Sequence, residues 1–277
     1  MAVRVVTDST SDVPADLVDR YHILVVPALI NIEGKSYADG VDLSRGEFYR
    51  RLPKLDPLPT TATPSPGTFE AAFRSCGLAE IVAVHLSASL SALFSTALLG
   101  AEPLGDQVTV VDSQQASMGL GWQVLAAAEV AAAGGSRAEI LATVRAAQAR
   151  VRLYACLDTL EYLRRGGRAS LLSARLGDLL QIKPMIELRD GVVSVLARVR
   201  TRQKARDELA ARVLALGPLQ RLAVLHTDCL DDAQAMADRL APLAQQPPVV
   251  VEAAGVLGTH VGPGAIGIAA LMVESSL

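Results

Sequence analysis

The chain has 277 residues, a length that suits one large domain or two ordinary ones. Hydrophobic residues make up 51% of it and aromatic residues only 4%, which predicts a sizeable aliphatic core. The formal net charge of −3 argues against a general nucleic-acid binder, which normally carries a basic face.

The three cysteines lie singly along the chain, at Cys76, Cys156 and Cys229, and form no CxxC pair. This spacing argues against a zinc knuckle and a disulfide framework, and it fits a reducing compartment. The opening residues lack the apolar core and cleavage site of a signal peptide, and no run of about 20 uninterrupted apolar residues occurs. We therefore expect a cytoplasmic protein without a membrane span.

Short β-branched runs alternate with helical patterns over the first half of the chain. Continuous apolar strands separated by helices are typical of a parallel sheet that is covered on both faces. The sequence therefore predicts a doubly wound, mostly parallel, Rossmann-like α/β domain over residues 1–152. The predicted strands are 3–6, 23–30, 81–85 and 108–111, and the predicted helices are 43–52, 66–76, 90–102, 117–133 and 137–150.

The second half of the chain has a different pattern. Two apolar runs, 184–188 and 192–199, flank the turn Arg189-Asp190-Gly191, which predicts a hairpin and hence antiparallel pairing. We expect a second α/β domain with a mixed sheet over residues 153–277. Its other predicted strands are 153–157, 221–226, 249–253 and 265–273, and its predicted helices are 202–216 and 231–243.

Segment 60–66 (TTATPSP) places four hydroxyl side chains close together beside several prolines. Each proline fixes its own φ and keeps the preceding residue out of the helical region, so this backbone is predicted to be extended and stiff. A rigid row of hydroxyls suits an oxygen-bearing ligand better than acid–base chemistry. The alternative is an ordinary loop in which Ser65 caps the helix that opens at Pro66.

Two more hydroxyl-rich segments follow predicted strands: segment 8–12 (DSTSD) and segment 87–96 (SASLSALFST). Because α/β sheets bind ligands at the carboxyl ends of parallel strands, both are candidates to face a ligand, and the first also a metal. A helix starting near Ser89 would point free N–H groups at an anion such as a carboxylate. The alternative is helix capping, in the first segment by Ser11 or Asp12 ahead of a helix near Pro14.

Two further loops carry the remaining candidate chemistry. Loop 164–168 (RRGGR) is basic and glycine-rich, and it either binds an anion or a partner or is simply solvated. A glycine-rich turn is predicted at 258–264 (GTHVGPG), where His260 either donates to a ligand oxygen or is structural. The sequence has no phosphate-binding loop, GxGxxG, HExxH or GxSxG motif, and no two histidines have metal-ligand spacing.

These segments, in this order, resemble the DegV family of bacterial fatty-acid-binding proteins over nearly the whole chain. The opening TDSTSDVP is similar to the family's TDSTSDLP, TATPS at 61–65 to its TSQPS, and LSALFSTA at 90–97 to its LSGTYQSA. LDTLEYLRRGGR at 157–168, IKP at 182–184, RTR at 200–202 and GTHVGPG at 258–264 also resemble the family's form. Each motif is modest alone, but their order and spacing together are specific.

The resemblance implies a two-domain α/β protein that buries one long-chain fatty acid between its domains. It also implies a partner, a separate fatty-acid kinase that converts the bound carboxylate to an acyl phosphate, so that this chain is a non-catalytic carrier without a cofactor or metal. By motif, Thr61 and Ser91 are expected to hydrogen-bond the carboxylate, with His260 nearby. Arg168 and Arg202 are expected to contact the carboxylate or the kinase. Transient contact with a membrane surface would serve lipid exchange.

The chain departs from the family pattern beside both hydroxyls. Ala62 and Thr63 replace the serine and glutamine of the first motif, and Ala92 and Leu93 replace the glycine and threonine of the second. Since Thr61 and Ser91 are retained, the carboxylate contacts are still expected, and Leu93 is expected to enlarge the apolar wall of the site.

Two rival functions remain open from the sequence. A phosphotransferase resembling dihydroxyacetone kinases would hold a small carbonyl substrate covalently through a histidine, and His260 or His85 would have to serve. A regulatory or scaffold protein would use loop 164–168 to bind its partner. The absence of catalytic motifs favours the carrier.

Overall fold

The computed structural model describes residues 3–168 and 182–274, which form an α/β fold with three sheets. The strands are β1 (Val3–Asp8), β2 (Leu24–Val26), β3 (Leu29–Ile32), β4 (Lys35–Ala38), β5 (Thr60–Ala62), β6 (Glu80–His85), β7 (Val108–Asp112), β8 (Val151–Cys156), β9 (Lys183–Arg189), β10 (Val192–Val199), β11 (Leu219–His226), β12 (Val249–Glu252) and β13 (Ile266–Met272). The helices are α1 (Ala15–Arg20), α2 (Arg45–Arg51), α3 (Pro66–Ser75), α4 (Leu93–Ala101), α5 (Ser117–Ala132), α6 (Arg137–Arg150), α7 (Glu161–Arg165), α8 (Arg202–Leu214), α9 (Leu230–Leu240) and α10 (Gly255–Val261).

The first sheet is parallel throughout and has the strand order β2-β1-β6-β7. Its central strands β1 and β6 are almost wholly buried, as expected of apolar strands that are covered on both faces. The predicted doubly wound parallel sheet is therefore confirmed. None of the helices in the described ranges is long and apolar enough to cross a membrane.

The second sheet has the order β10-β9-β8-β13-β11-β12 and is mixed, because only β11 and β12 pair in parallel. Asp190 and Gly191 both have left-handed φ values, of 50° and 76°, which is the two-residue turn that matches strand twist in a hairpin. The predicted hairpin and mixed sheet are confirmed.

The boundary expected between residues 152 and 153 falls inside β8, which begins at Val151 and belongs to the mixed sheet. We therefore propose that the division lies at the junction of α6 and β8. Residues 1–2, 169–181 and 275–277 of the two expected domains lie outside the described residues.

A third, antiparallel sheet of order β4-β3-β5 was not predicted. The apolar run 23–30 is two strands in different sheets rather than one, since Pro27 interrupts it and cannot donate a ladder hydrogen bond. The extended backbone expected of segment 60–66 begins as β5, in which Thr61 is paired with Ile30 of β3. Ser65 caps α3 as predicted, because its Oγ accepts a hydrogen bond from Thr68 N at 3.1 Å.

Three local predictions near the loops are wrong. Helix α1 follows Pro14 without any side-chain cap, and α4 begins at Leu93 rather than near Ser89. The glycine-rich turn predicted at 258–264 is the second half of α10 followed by a short turn. A Cβ on Gly258 would lie 2.4 Å from the Tyr49 hydroxyl, so this glycine permits close helix packing rather than a turn.

Candidate ligand-binding site

An apolar cavity of about 190 Å³ lies between the mixed sheet and the loops of the parallel sheet. One wall is the face of the mixed sheet, and the opposite wall includes Leu86, Leu90, Ala116 and residues of α10. Apolar cavities are poor sites for water. The cavity therefore suits an apolar ligand.

Not every polar side chain in the lining has hydrogen-bonding capacity to spare. The Ser117 hydroxyl donates to the Asp12 carboxylate, and the Thr227 hydroxyl accepts from Ala265 N at 2.8 Å and donates to Ala265 O at 3.5 Å. Since both groups already bond to protein, ligand contacts are left to the others. The polar side chains in the lining are Thr61, Ser91, Ser117, Arg168, His226, Thr227 and His260.

Thr61 and His260 form a hydrogen-bonded pair at the cavity, with Oγ1 and Nε2 separated by 3.0 Å. His260 Nδ1 is buried and has no partner among the described residues. A buried N–H without an acceptor is rarer in proteins than an unused acceptor, so we assign the imidazole proton to Nε2. His260 then donates to Thr61, and the Thr61 hydroxyl is left to donate to a ligand oxygen.

His260 is held neutral at this site. Burial, together with the nearby positive charge of Arg168, lowers the pKa of His260 to about 4. The guanidinium of Arg168 is a positive charge at this end of the cavity, and its Nη1 donates to Gly166 O at 3.0 Å. A carboxylate bound here would meet this cation and neutral donors.

Ser91 lies in the loop before α4, where its Oγ accepts a hydrogen bond from Leu93 N at 3.3 Å. Accepting that bond fixes the oxygen and leaves the hydroxyl proton to be donated into the cavity. Leu93 itself is 1% exposed in the core and is not part of the lining, so the expectation that it enlarges the apolar wall is wrong.

Arg202 lies outside the cavity. Its guanidinium forms two hydrogen bonds to the Asp158 carboxylate, at 2.7 and 2.9 Å, and Lys183 Nζ reaches the same carboxylate at 2.7 Å. Hydrogen bonds from Arg202 and Lys183 lower the pKa of Asp158 to about 2. The structure therefore brings four of the five expected site residues to one cavity and places Arg202 in a separate ion-pair cluster.

Segment 8–12 does not line the cavity, and neither Ser11 nor Asp12 caps α1. Asp12 Oδ1 lies 3.0 Å from Arg45 Nη1 and accepts from Ala254 N at 2.9 Å, while Asp39 accepts from Gly255 N at 3.1 Å. We call Asp12, Asp39 and Arg45 the aspartate clasp. It holds the first residues of α10, the helix that carries His260, against the first half of the chain.

The sequence did not predict the aspartate clasp, since Asp12 lies far from Asp39 and Arg45 along the chain and the three share no motif. Burial raises the pKa of Asp12 to about 6 despite the neighbouring Arg45, and burial likewise raises the pKa of Asp39. Among residues 3–168 and 182–274, no group of His, Cys, Asp and Glu is placed to hold a metal ion.

His85 does not reach the cavity. It is fully buried, and its Nδ1 lies 3.0 Å from Asp8 Oδ2. A substrate could not contact this imidazole, so of the two histidines considered for a covalent phosphotransferase only His260 is accessible to a ligand in the cavity.

These features define a class: an α/β protein with a parallel and a mixed sheet and an apolar internal site that has polar groups near α10. The model of the family described as "Uncharacterised protein, DegV family" matches residues 2–273. A DegV domain-containing protein of Streptomyces coelicolor is 37% identical over 276 residues, which cover 96% of this chain and 97% of that protein. The chain therefore belongs to the DegV family.

Solved structures agree with this assignment. A DegV family protein from Thermus thermophilus, described by its fatty acid binding, is 33% identical with a TM-score of 0.89, covering 99% of this chain and all of that one. DegV of Bacillus subtilis, a fatty acid binding protein, is 29% identical with a TM-score of 0.86, covering 99% of this chain and all of that one. The expected family and fold are confirmed.

Proposed function

We propose that this protein binds a long-chain fatty acid in the cavity and presents its carboxylate to a separate fatty-acid kinase, which forms an acyl phosphate. The observation that carries the proposal is the combination of an apolar cavity with hydroxyl protons of Thr61 and Ser91 that are free to donate into it. The fatty acid binding of the relatives from Thermus thermophilus and Bacillus subtilis supports it.

The acyl chain supplies most of the affinity in this proposal. Each buried methylene contributes about 0.8 kcal/mol, so a long chain contributes more than about 10 kcal/mol before costs. The loss of motion on binding offsets several kcal/mol of that sum. The polar end of the site therefore has to orient the carboxylate rather than to bind it tightly, and neutral hydroxyls are sufficient for orientation.

We assign the carboxylate contacts to the donors at the α10 end of the cavity. Thr61 and Ser91 donate to the carboxylate oxygens, His260 orients Thr61 through its Nε2 proton, and Arg168 supplies the compensating charge. Because His260 is neutral and Arg168 is only partly buried, a carboxylate oxygen stays free to attack the phosphoryl group that the kinase supplies. The chain acts as a carrier and contributes no nucleophile of its own.

The kinase would approach the face that carries loop 164–168 and Arg202. Arg202 has no carboxylate role in this proposal, since it is bonded to Asp158 outside the cavity. It remains a candidate for docking the kinase. The proposal places the protein in the cytoplasm, where the kinase finds its nucleotide, with transient membrane contact for lipid exchange.

A kinase assay tests the proposal. In the double variant Thr61→Ala with Ser91→Ala, kinase-dependent formation of acyl phosphate should fall at least tenfold, while the melting temperature stays close to that of the wild type. The matched control is Ser95→Ala, an exposed serine of α4 that is absent from the cavity lining. Unchanged turnover in the double variant would remove the assigned carboxylate role.

The accessible position of His260 also supports one alternative, a phosphotransferase that holds a small carbonyl compound on this imidazole. The two functions differ in what the protein does alone. Turnover of a small ketone with nucleotide, abolished in His260→Gln, would establish the phosphotransferase. A non-covalently bound aliphatic acid without such turnover would establish the carrier.

A further inference from the structure

The cavity wall that the mixed sheet forms, which we call the floor, is uneven. Its unevenness follows from the register of that sheet. One row of directly paired residues crosses the floor, and all of its members line the cavity: Ile186 of β9, Ala155 of β8, Gly267 of β13 and Leu225 of β11. Residues paired across neighbouring strands project to the same face of a sheet. The row therefore reads large, small, small, large, and we call Ala155 and Gly267 the trough pair.

The low part of the floor continues along the strands, because every second residue of a strand faces the same side. At one end lie Leu157 and Ala265, which pack with Val261 beside His260. At the other end lie Leu153 and Leu188, which are paired with each other and also line the cavity. The trough thus starts under the polar end of the cavity and stops at a pair of leucines.

The trough pair leaves space that larger side chains would occupy. A Cβ on Gly267 would already lie 3.2 Å from Leu225 Cδ1 and 3.3 Å from Tyr154 O, so even one methyl group there is tight. Ala155 belongs to a central strand and yet is only half-buried, which means that its exposed surface faces the cavity. An added side chain at either position would project into the space available to a ligand.

We propose that the trough pair determines which acyl chain lengths this protein accepts. The middle of the acyl chain lies over Ala155 and Gly267, with Ile186 and Leu225 as the side walls, and Leu153 with Leu188 stops the methyl end. This inference rests on the proposed function, since it names the selective part of the same site. It assigns the selection of chain length to the sheet rather than to the residues that contact the carboxylate.

The size of the effect follows from volume. Ala155→Ile adds three carbons to the floor, and each carbon displaces roughly the volume of one water molecule, about 30 Å³. The longest acid that fits should therefore become shorter by about three carbons. Ile186→Ala removes three carbons from a side wall, so it should admit bulkier or longer chains.

The test measures how saturated acids of increasing length bind to delipidated protein. Binding is monitored by the displacement of a fluorescent fatty acid. For the wild type, affinity should rise with each methylene and then level off or fall at a defined length. In Ala155→Ile that break should move about three carbons shorter, in Gly267→Ala about one carbon shorter, and in Ile186→Ala to longer acids. The matched control is Ser194→Val, a substitution on β10 at a position that does not line the cavity.

The outcomes separate this inference from the proposed function. If the wild type binds no acid of any length, the proposed function fails and the inference fails with it. If the wild type binds acids but the break stays at the same length in all three variants, the proposed function stands and the trough pair has no role in selection. Should Ala155→Ile not fold by circular dichroism, the opposite shifts expected for Gly267→Ala and Ile186→Ala still decide the question.

Discussion

The aspartate clasp and the polar end of the cavity lie at opposite ends of α10, and both consist of polar side chains. Each collects oxygen-bearing side chains from the first half of the chain. In the clasp, Asp12 and Asp39 accept hydrogen bonds from the backbone N–H groups of Ala254 and Gly255 at the start of α10, and Arg45 provides the opposite charge. At the cavity, Thr61 and Ser91 keep donors that no described protein group uses.

This difference separates a structural cluster from a binding site. A buried polar group that finds its partners within the protein stabilises one conformation, whereas a buried donor left without an acceptor is costly unless a ligand supplies one. The clasp should therefore respond to mutation in stability, and the cavity should respond in affinity. The variants below test that separation, from the largest expected effect to the smallest.

Replacing Asp12 should cause the largest loss of stability. Asp12→Ala removes the acceptor for Ala254 N and Ser117 Oγ and leaves the largely buried Arg45 with one carboxylate fewer. We expect the free energy of unfolding at pH 7 to fall by roughly 3 kcal/mol, measured by chemical denaturation. A loss below about 1 kcal/mol would show that the clasp does not stabilise the fold.

Replacing Thr61 should instead lower affinity. Thr61→Val keeps the shape of the side chain but removes a hydrogen bond to a charged ligand, so fatty-acid binding should weaken roughly 10- to 100-fold. The unfolding free energy should change by less than about 1 kcal/mol. Thr60→Val, the exposed neighbour in β5, is the matched control and should bind as the wild type does. A large loss of stability with unchanged affinity in Thr61→Val would show that Thr61 has a structural role and does not contact the ligand.

The titration of His260 should report the ligand's charge. Without ligand, burial and Arg168 keep the pKa of His260 at about 4. A carboxylate bound beside Thr61 favours the protonated imidazole, so ligand should raise this pKa, measured from the imidazole NMR signals during a pH titration. The same pKa with and without bound acid would place the carboxylate away from His260.

The pH dependence of the clasp comes last, because it follows one stability difference over pH and removes no further contact. The pKa of Asp12 is raised to about 6 in the folded protein, so on acidification the folded state takes up this proton before the unfolded state does. The stability of the wild type relative to Asp12→Asn should therefore rise as the pH falls from about 7 to 4. The depressed pKa of His260 acts in the opposite direction but is common to both proteins and cancels. A constant difference across this range would contradict the raised pKa.

The sequence predicted the parts of this protein that local chemistry determines. The β9–β10 hairpin follows from an Asp-Gly turn between two apolar runs, and the cap of α3 follows from Ser65 before Pro66. The gathering of Thr61, Ser91, Arg168 and His260 was predicted through family resemblance, and the structure places these residues at one cavity. Their roles toward a ligand stay predictions.

The features that the sequence did not predict depend on contacts between distant segments. Asp39 and Arg45 belong to no motif, and only the fold brings them to Asp12. Gly258 resembles a turn residue, but the nearby Tyr49 explains it as a packing position in a helix. The trough pair exists only because the register of β8 and β13 sets Ala155 beside Gly267.

The most direct test of the central claim is mass spectrometry of the intact protein purified from a bacterial host under native conditions. The account predicts a non-covalently bound aliphatic carboxylic acid, and delipidated protein should take up such an acid again, with weaker retention in the Thr61→Ala, Ser91→Ala double variant. A protein that carries no aliphatic acid and fails to bind one after delipidation would contradict it.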